Sequence, residues 1–565
     1  MVAASWRRRG PTATVGAIVT IGIVGIFLPT AYAFVGTSSV LSVDKRSTHQ
    51  STTQLPQEKS KSDNIFVSMM GDMASSLLKK KERPGSDEVV SALEEVMGNA
   101  LSWEAVETQL EQQQTPEERA FRQNLIKGYG PASPLHKVRL YDESNKEEDV
   151  RVTFYRDSAS WCPYCQKVWM TLEEKRIPYR IIKINMRCYG EKPLDFQRLQ
   201  PSGAIPVVKI DETVYRQSND ALYALEESFP SSPELSPAKT DDPMKAQKLL
   251  RLERTLFSVW MYWLTSSGDP KRYKKEFVSV LAQVENELKQ SPGAFFMGKK
   301  VNLVDIMFVP FLERICASLL YFKGFQIRVP PNTKTDFPNI NKWFDAMEEL
   351  ESYQLTKSDY YTHCWDLPPQ LGGCTFEPAG EPYERAINGE RKLSGNGGSW
   401  ELPLEAHNGG IEPDWTFGHG KDPEAARREA AERITANHAA IVQFAARGAG
   451  SKGFPPYSAA LADPNAKPGS QQLQAVVDSF LRLVCKALLS TDHKLLDPKL
   501  VEASQALLKG DDGSLMFSQD VVQSLAYLRD RTGVPRDMRL PAAQQLRAHL
   551  NWVIGGILEA QENSS

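Results

Sequence analysis

The stretch that decides the fold reads Ser160-Trp161-Cys162-Pro163-Tyr164-Cys165-Gln166-Lys167-Val168. Proline has no N–H to offer and its fixed φ suits the first helical turn, so Pro163 predicts a helix beginning just after Cys162. Cys165, Val168 and Leu172 then share one face. Cys162 falls at the N-cap, where free backbone N–H groups and the positive end of the helix dipole stabilise a thiolate. Lys167 adds positive charge nearby. Ahead of the pair, Val152-Thr153-Phe154-Tyr155 carries β-prone residues and predicts a strand. A C-x-x-C that follows a strand and opens a helix is a thiol–disulfide exchange motif. The rival reading, half of a zinc site, needs a second close pair. The remaining cysteines, Cys188, Cys316, Cys364, Cys374 and Cys485, are singly spaced, so no metal site is expected. Cys316 and Cys485 lie in apolar helical patterns and read as buried structural thiols. Cys188 is the candidate for a further redox thiol.

Downstream, Tyr179-Arg180-Ile181-Ile182-Lys183-Ile184 reads as a second strand. Gly203-Ala204-Ile205-Pro206-Val207-Val208 places a proline at the first residue of a third, where no ladder donor is required. A cis Ile205–Pro206 bond would turn the Ile205 backbone toward the cysteine, ready to pair with an extended peptide. Asp211-Glu212 forms a tight turn, Val214-Tyr215-Arg216 a fourth strand, and Gln217-Ser218-Asn219-Asp220 opens another helix. Ser218 there offers a hydroxyl and bare N–H groups to a carboxylate, or simply caps its helix.

The order CPYC, Ile205-Pro206, Gln217-Ser218 resembles the thioredoxin-fold domain of glutathione transferases, with the active site of a glutaredoxin. Residues 243–362 resemble the all-helical second domain of that superfamily. Asn302-Leu303-Val304-Asp305 fits its N-capping box, with Asn where the family usually has Ser or Thr. Phe337-Pro338-Asn339 followed by Trp343 fits its late helix. The cysteine-type classes (omega, dehydroascorbate reductase and lambda) are the most similar. WCPYCQKVW, residues 161–169, and GVPRDM, residues 533–538, also resemble long plastid transferase-like proteins of plants and algae. The resemblance implies an α/β thioredoxin-like domain (βαβαββα), then an all-α transferase C-terminal domain, with further helical regions at both ends.

It also implies roles. Cys162 is the nucleophile, and Cys165 makes the site a dithiol where many cysteine-type transferases have one cysteine. Ile205 pairs with the cysteinyl backbone of glutathione, with Pro206 as the cis residue. Gln217 and Ser218 hold the γ-glutamyl end, and Lys192 falls where the omega class has a lysine for the glycyl carboxylate. The expected activity is glutathione-dependent thiol transfer, reducing mixed disulfides or small electrophiles such as dehydroascorbate, with glutathione as co-substrate and a homodimer as a possible assembly. A glutathione-binding scaffold or redox sensor, and a conjugating transferase for hydrophobic electrophiles, are the alternatives. Trp260, Tyr262 and Trp263 line an electrophile pocket or form core, with core favoured.

The whole chain has 565 residues, 41% hydrophobic and 24% charged, with net charge −3. That describes several ordinary domains. It lacks the strong basicity of nucleic-acid binding, and seven cysteines are too few for a disulfide scaffold. Arg7-Arg8-Arg9, the apolar run at 15–28 and Ala31-Tyr32-Ala33 make a signal peptide over 1–33, or a membrane anchor at 15–33. Residues 34–62 hold seven Ser, four Thr and only two acids, like a transit peptide. With Phe34 following Ala33 this resembles the bipartite presequence of algae with secondary plastids; secretion is the alternative. Ile65, Met69, Met73 and Leu77, then Val89, Leu93 and Val96, give a helical period, so 63–148 reads as a helical extension. The thioredoxin fold is expected over 149–232 and the helical domain over 243–362. A linker rich in Gly, Pro and Asn is expected over 363–421, and a helical domain of unknown role over 422–565. His438, His493 and His549 are isolated and read as surface or capping residues.

Overall fold

In a computed structural model of the protein, the structure describes residues 86–564, apart from 237–238, 240–241, 394–395, 405–411, 413–421, 458 and 509–512. The expected signal peptide, transit segment and first helical residues (Ile65 to Leu77) lie outside the described residues. Among the described residues, no helix is long and apolar enough to cross a membrane.

The sheet has five strands in the order β1-β3-β2-β4-β5: β1 Val138–Arg139, β2 Val152–Asp157, β3 Tyr179–Ile184, β4 Val207–Ile210 and β5 Thr213–Tyr215. β2 and β3 are parallel, with Phe154 opposite Ile181; β2 and β4 are antiparallel, with Phe154 opposite Val208. This central strand alternates, burying Val152 and Phe154 completely. Between and after the strands come α4 Pro163–Glu174, α5 Leu194–Leu199 and α6 Ser218–Ser228. The result is the βαβαββα thioredoxin-like fold, with one addition. The segment expected to be helical over 63–148 supplies β1, which adds an antiparallel edge to β3. Two residues are too short to show a periodicity, which is why this strand escapes a pattern reading.

The helical domain follows: α7 Pro243–Thr265, α8 Pro270–Lys289, α9 Leu303–Lys323, α10 Pro338–Glu348, the short α11 Glu351–Gln354 and α12 Tyr360–Leu371. Asn302 and Asp305 close a capping box at the start of α9. Asp305 also accepts from Trp343 Nε1 at 2.9 Å, so the two motifs read from sequence meet. Every residue of α9 is buried, including Glu313 and Arg314. One apolar core runs from Phe154 and Val168 through Trp260 and Trp263 to Phe308 and Trp343.

Residues 363–421, expected as a linker, instead carry most of α12, the helix α13 Glu381–Ile387 and the buried Trp400. The glycines there permit close packing: a Cβ on Gly389 would lie 2.3 Å from Trp400 Cδ2. Composition alone does not separate this use of glycine from a spacer.

A second core joins segments that precede and follow the transferase region. The N-terminal helices are α1 Ser86–Met97, α2 Trp103–Gln113 and α3 Pro116–Lys127. The C-terminal ones are α14 Pro423–Thr435, α15 His438–Ala445, α16 Gln471–Leu488, α17 Asp497–Ala506, α18 Gly513–Arg531 and α19 Leu540–Ser564. Val89, Leu93 and Val106 pack in one cluster with Val476, Phe480 and Leu546. Trp103 Nε1 donates to Asp478 at 2.9 Å, and Arg482 pairs with Glu94 at 2.5 Å. His438 stacks on Trp103 with ring centroids 4.5 Å apart, and His549 is buried with Nδ1 2.7 Å from the Gln545 carbonyl.

Candidate active site

Cys162 is the N-cap of α4, with φ −72° and ψ 120°, and Pro163 opens the helix. The residue is 7% exposed, and its Sγ lies 3.9 Å from the Ile205 carbonyl oxygen. The Ile205–Pro206 bond is cis. Cys165 sits one turn deeper, in the core. Burial, together with its bond to Cys162, pushes the Cys165 thiol well above the ordinary thiol range. The pair is therefore unequal: an outer sulfur at the helix tip and an inner one held protonated.

The peptide that carries Cys162 is bracketed by two charges. Its N–H donates to Asp157 Oδ2 at 3.2 Å, as does the Trp161 N–H at 2.5 Å. Its carbonyl, that of Trp161, accepts from Arg314 Nη2 at 2.6 Å. Asp157 closes β2 and is wholly buried; its Oδ1 accepts no hydrogen bond from a described residue. Arg314 also donates to Gln166 at 2.9 Å, and Gln166 donates to Glu313 Oε2 at 3.0 Å. His363 Nε2 donates to Glu313 Oε1 at 2.5 Å. Burial and the nearby Arg314 push His363 below its ordinary range, against the pull of Glu313. Burial works to raise Glu313, but the bond from His363, the Arg314 charge and the Ser358 N–H prevail, and the carboxyl is held at about 2.

A second set of charges flanks the helix. Lys167 is buried and donates to Asn219 at 2.5 Å, tying α4 to the first turn of α6. Desolvation lowers its ammonium to about 8, against the pull of Glu253 and Cys162. Ser218 begins α6, and Gln217 is its N-cap, with no side-chain bond closing the cap. Lys192 donates to the Asn185 carbonyl at 2.6 Å and packs against Gly203, just before the Ile205 turn. Burial lowers its ammonium, against the pull of Cys162 and Cys165. So Cys162 meets the Ile205 carbonyl beside cis Pro206, with Cys165 behind it; Lys192 lies against Gly203, and Ser218 shares the first turn of α6 with Asn219, which Lys167 bonds.

Cys188 is half-buried, and burial followed by Asp366 raises its thiol to about 12. Cys316 and Cys485 are buried, with thiols also raised to about 12. Trp260 and Trp263 are core, donating to Ser318 at 3.0 Å and Glu377 at 2.8 Å, whereas Tyr262 is 60% exposed. The apolar wall near the cysteine is different: Tyr164 meets Phe311 edge-on at 5.5 Å, and Arg254 lies over Phe311 at 4.7 Å and Phe257 at 4.9 Å. Asp157, Arg314 and Glu313 were not anticipated. The available signal was a charged pair, Glu313-Arg314, inside the apolar run of α9, and an acid ending a hydrophobic strand.

Residues 161–228 match the family described as Glutathione S-transferase, N-terminal domain, and 271–346 the family described as Glutathione S-transferase, C-terminal domain. The chain is 30% identical over 197 residues to Glutathione S-transferase DHAR2 of Arabidopsis thaliana, covering 35% of this chain and 84% of that protein. It is 27% identical over 198 residues to the same organism's Glutathione S-transferase DHAR3, chloroplastic, covering 35% and 69% respectively. Among solved structures, a dehydroascorbate reductase of Chlamydomonas reinhardtii aligns at 22% identity and TM-score 0.30, over 37% of this chain and 93% of that one.

Proposed function

The chain belongs to the glutathione S-transferase family, and from that premise we propose that it is a glutathione-dependent thiol transferase acting through Cys162. The observation that carries the reading is a cysteine at a helix N-cap, 3.9 Å from the Ile205 carbonyl, with a deeper cysteine behind it. The Cys162 thiolate attacks the glutathione sulfur of a mixed disulfide. The S–S bond breaks, the substrate leaves as a thiolate and takes a proton, and glutathione stays on Cys162. A second glutathione thiolate then attacks that glutathionyl sulfur, forming glutathione disulfide and freeing Cys162. Cys165 offers the other exit: once deprotonated it displaces glutathione and leaves a Cys162–Cys165 disulfide, which two glutathione molecules reduce. Its raised pKa makes this the slower exit at neutral pH.

In this reading the Ile205 backbone pairs with the cysteinyl part of glutathione, beside cis Pro206. Gln217 and Ser218 hold the γ-glutamyl end at the uncapped start of α6. Lys192 answers the glycyl carboxylate. Dehydroascorbate is a substrate of the same type, because a thiolate adds to it and a second thiol completes its reduction to ascorbate. Plastid import by way of the secretory route fits the hydroxyl-rich segment at 34–62 and the relative named chloroplastic. A non-catalytic glutathione-binding scaffold is the second reading, favoured by the low exposure of Cys162.

Steady-state turnover of a mixed disulfide with glutathione separates them. Cys162→Ser abolishes turnover and Cys165→Ser retains part of it. Full activity in Cys162→Ser overturns the mechanism, and tight glutathione binding without turnover in the wild type selects the scaffold.

A further inference from the structure

The loop between α18 and α19 reaches across to the nucleophile's neighbour. Val534 accepts from Trp161 Nε1 at 3.0 Å and also from the Ser358 hydroxyl, and its own N–H donates to Thr362 Oγ1 at 3.2 Å. Gly533 lies flat against the indole: a Cβ there would be 2.4 Å from Trp161 Cζ2. Arg536 covers the ring at 4.9 Å. Its guanidinium is held in turn by Asp537 at 2.7 Å and by the Arg531 carbonyl at 2.5 Å. Trp161 is wholly buried and is the residue whose carbonyl and N–H are already fixed by Arg314 and Asp157. Every polar atom of Trp161 therefore has a partner, and the side-chain one comes from the C-terminal body.

We infer that Trp161 is a positioning residue, and that the 533–537 loop completes the active site by fixing through it the peptide that carries Cys162. The inference rests on Cys162 being the nucleophile. Its physical basis is that misplacing a reacting atom by about 1 Å can cost on the order of a hundredfold in rate. The Trp161–Cys162 peptide is held at both ends by charges, Asp157 and Arg314, that belong to the transferase region. The indole, bonded to Val534, adds a third restraint on the same residue through its side chain. A loop on another body thus tunes the aim of the sulfur without touching substrate.

The test uses the full chain with Trp161→Phe, which removes the Nε1 donor and keeps an aromatic ring, and Gly533→Ala, which pushes the loop off the indole. Two readouts are taken: kcat and KM for glutathione in disulfide exchange, and the rate of iodoacetamide labelling of Cys162 against pH, located by peptide mass. The expected result is a five- to tenfold fall in kcat with KM for glutathione unchanged, and a displaced pH profile of labelling, in both variants. Ser358→Ala, which removes one of the two side chains that hold Val534 and leaves Trp161 intact, gives a smaller change of the same kind and serves if either other variant fails to fold. Folded variants with wild-type kcat and an unshifted labelling profile overturn the inference. A wild type without turnover but with a labelling profile that moves in the variants removes the proposed activity and keeps the positioning role.

Discussion

Two bodies of this molecule are built by opposite means. The one around Cys162 is a nearly continuous run of chain, with a sheet, a helical domain and a charged network sealed inside its core. The other is assembled from helices on either side of that run, α1 and α2 with α14 to α19, and its core is almost wholly aliphatic and alanine-rich. In the first, one buried polar network meets the peptide of the nucleophile through Asp157, Arg314, Glu313 and His363, beside buried pairs such as Arg328–Glu348 and Lys175–Glu226 that join elements. In the second, polar groups mostly stitch helices together, as Arg482–Glu94 and Arg428–Glu118 do. The lesson is that the extensions form a single module wrapped back onto the transferase region.

The strut between the bodies is Arg547. It pairs with Asp359 at 2.7 Å, with both side chains essentially unexposed, donates to the Thr532 carbonyl at 2.7 Å and lies over Tyr361 and Trp400. Asp359 also caps α12 by accepting from the Thr362 N–H at 3.0 Å. Breaking a buried pair leaves an uncompensated charge, so Arg547→Ala is expected to cost about 3–5 kcal/mol in chemical denaturation. Two independent transitions, with the transferase region unmoved, would show that the bodies do not depend on each other.

The joint origin of the second body has its own test. Leu93 is wholly buried against the C-terminal helices. Leu93→Ala is expected to cost about 2–5 kcal/mol by cavity formation. The loss should appear as faster amide exchange in α16, far away in sequence. Unchanged protection in α16 would separate the N-terminal helices from that core.

Asp366 sharpens the contrast through pH. It is buried and accepts from Tyr189 at 2.7 Å. Burial raises its carboxyl from the ordinary 3.8 to about 7. The folded protein keeps a proton that the unfolded chain releases, so this contribution is full below about pH 4 and is lost as pH rises through about 7. Asp366→Asn should flatten that decline, leaving stability unchanged near pH 4 and higher by about 1–4 kcal/mol at pH 8, taking about 1.4 kcal/mol per pH unit as an upper bound. An undiminished decline between pH 5 and 8 would assign it to other groups.

The smallest effect expected is at Lys167. Its charge favours a Cys162 thiolate but is lost at about pH 8. Lys167→Met should slow thiol exchange about threefold at pH 7, an electrostatic effect of about 0.7 kcal/mol. The difference should fade above pH 8. A deficit that persists to pH 9 would make the role of Lys167 packing.

The transferase region was legible because its chemistry is local in sequence. CPYC sits between a strand and a helix, Ile205-Pro206 opens a strand, and Asn302 to Asp305 is a four-residue cap. Asp157 and Arg314 were not legible, since what makes them part of the site is their meeting across β2 and α9. The same holds for Val534, which no spacing links to Trp161. β1 was missed because two residues carry no period. The misread linker shows a composition serving a different end, with Gly389 making room for Trp400.

The most direct test of the central claim is to locate the glutathione adduct. Full-length Cys165→Ser protein is incubated with glutathione disulfide, digested without reduction and read by peptide mass. One glutathione on Cys162, released by added glutathione, is the predicted result. A folded protein whose Cys162 stays unmodified, or whose adduct sits on Cys188 instead, would contradict it.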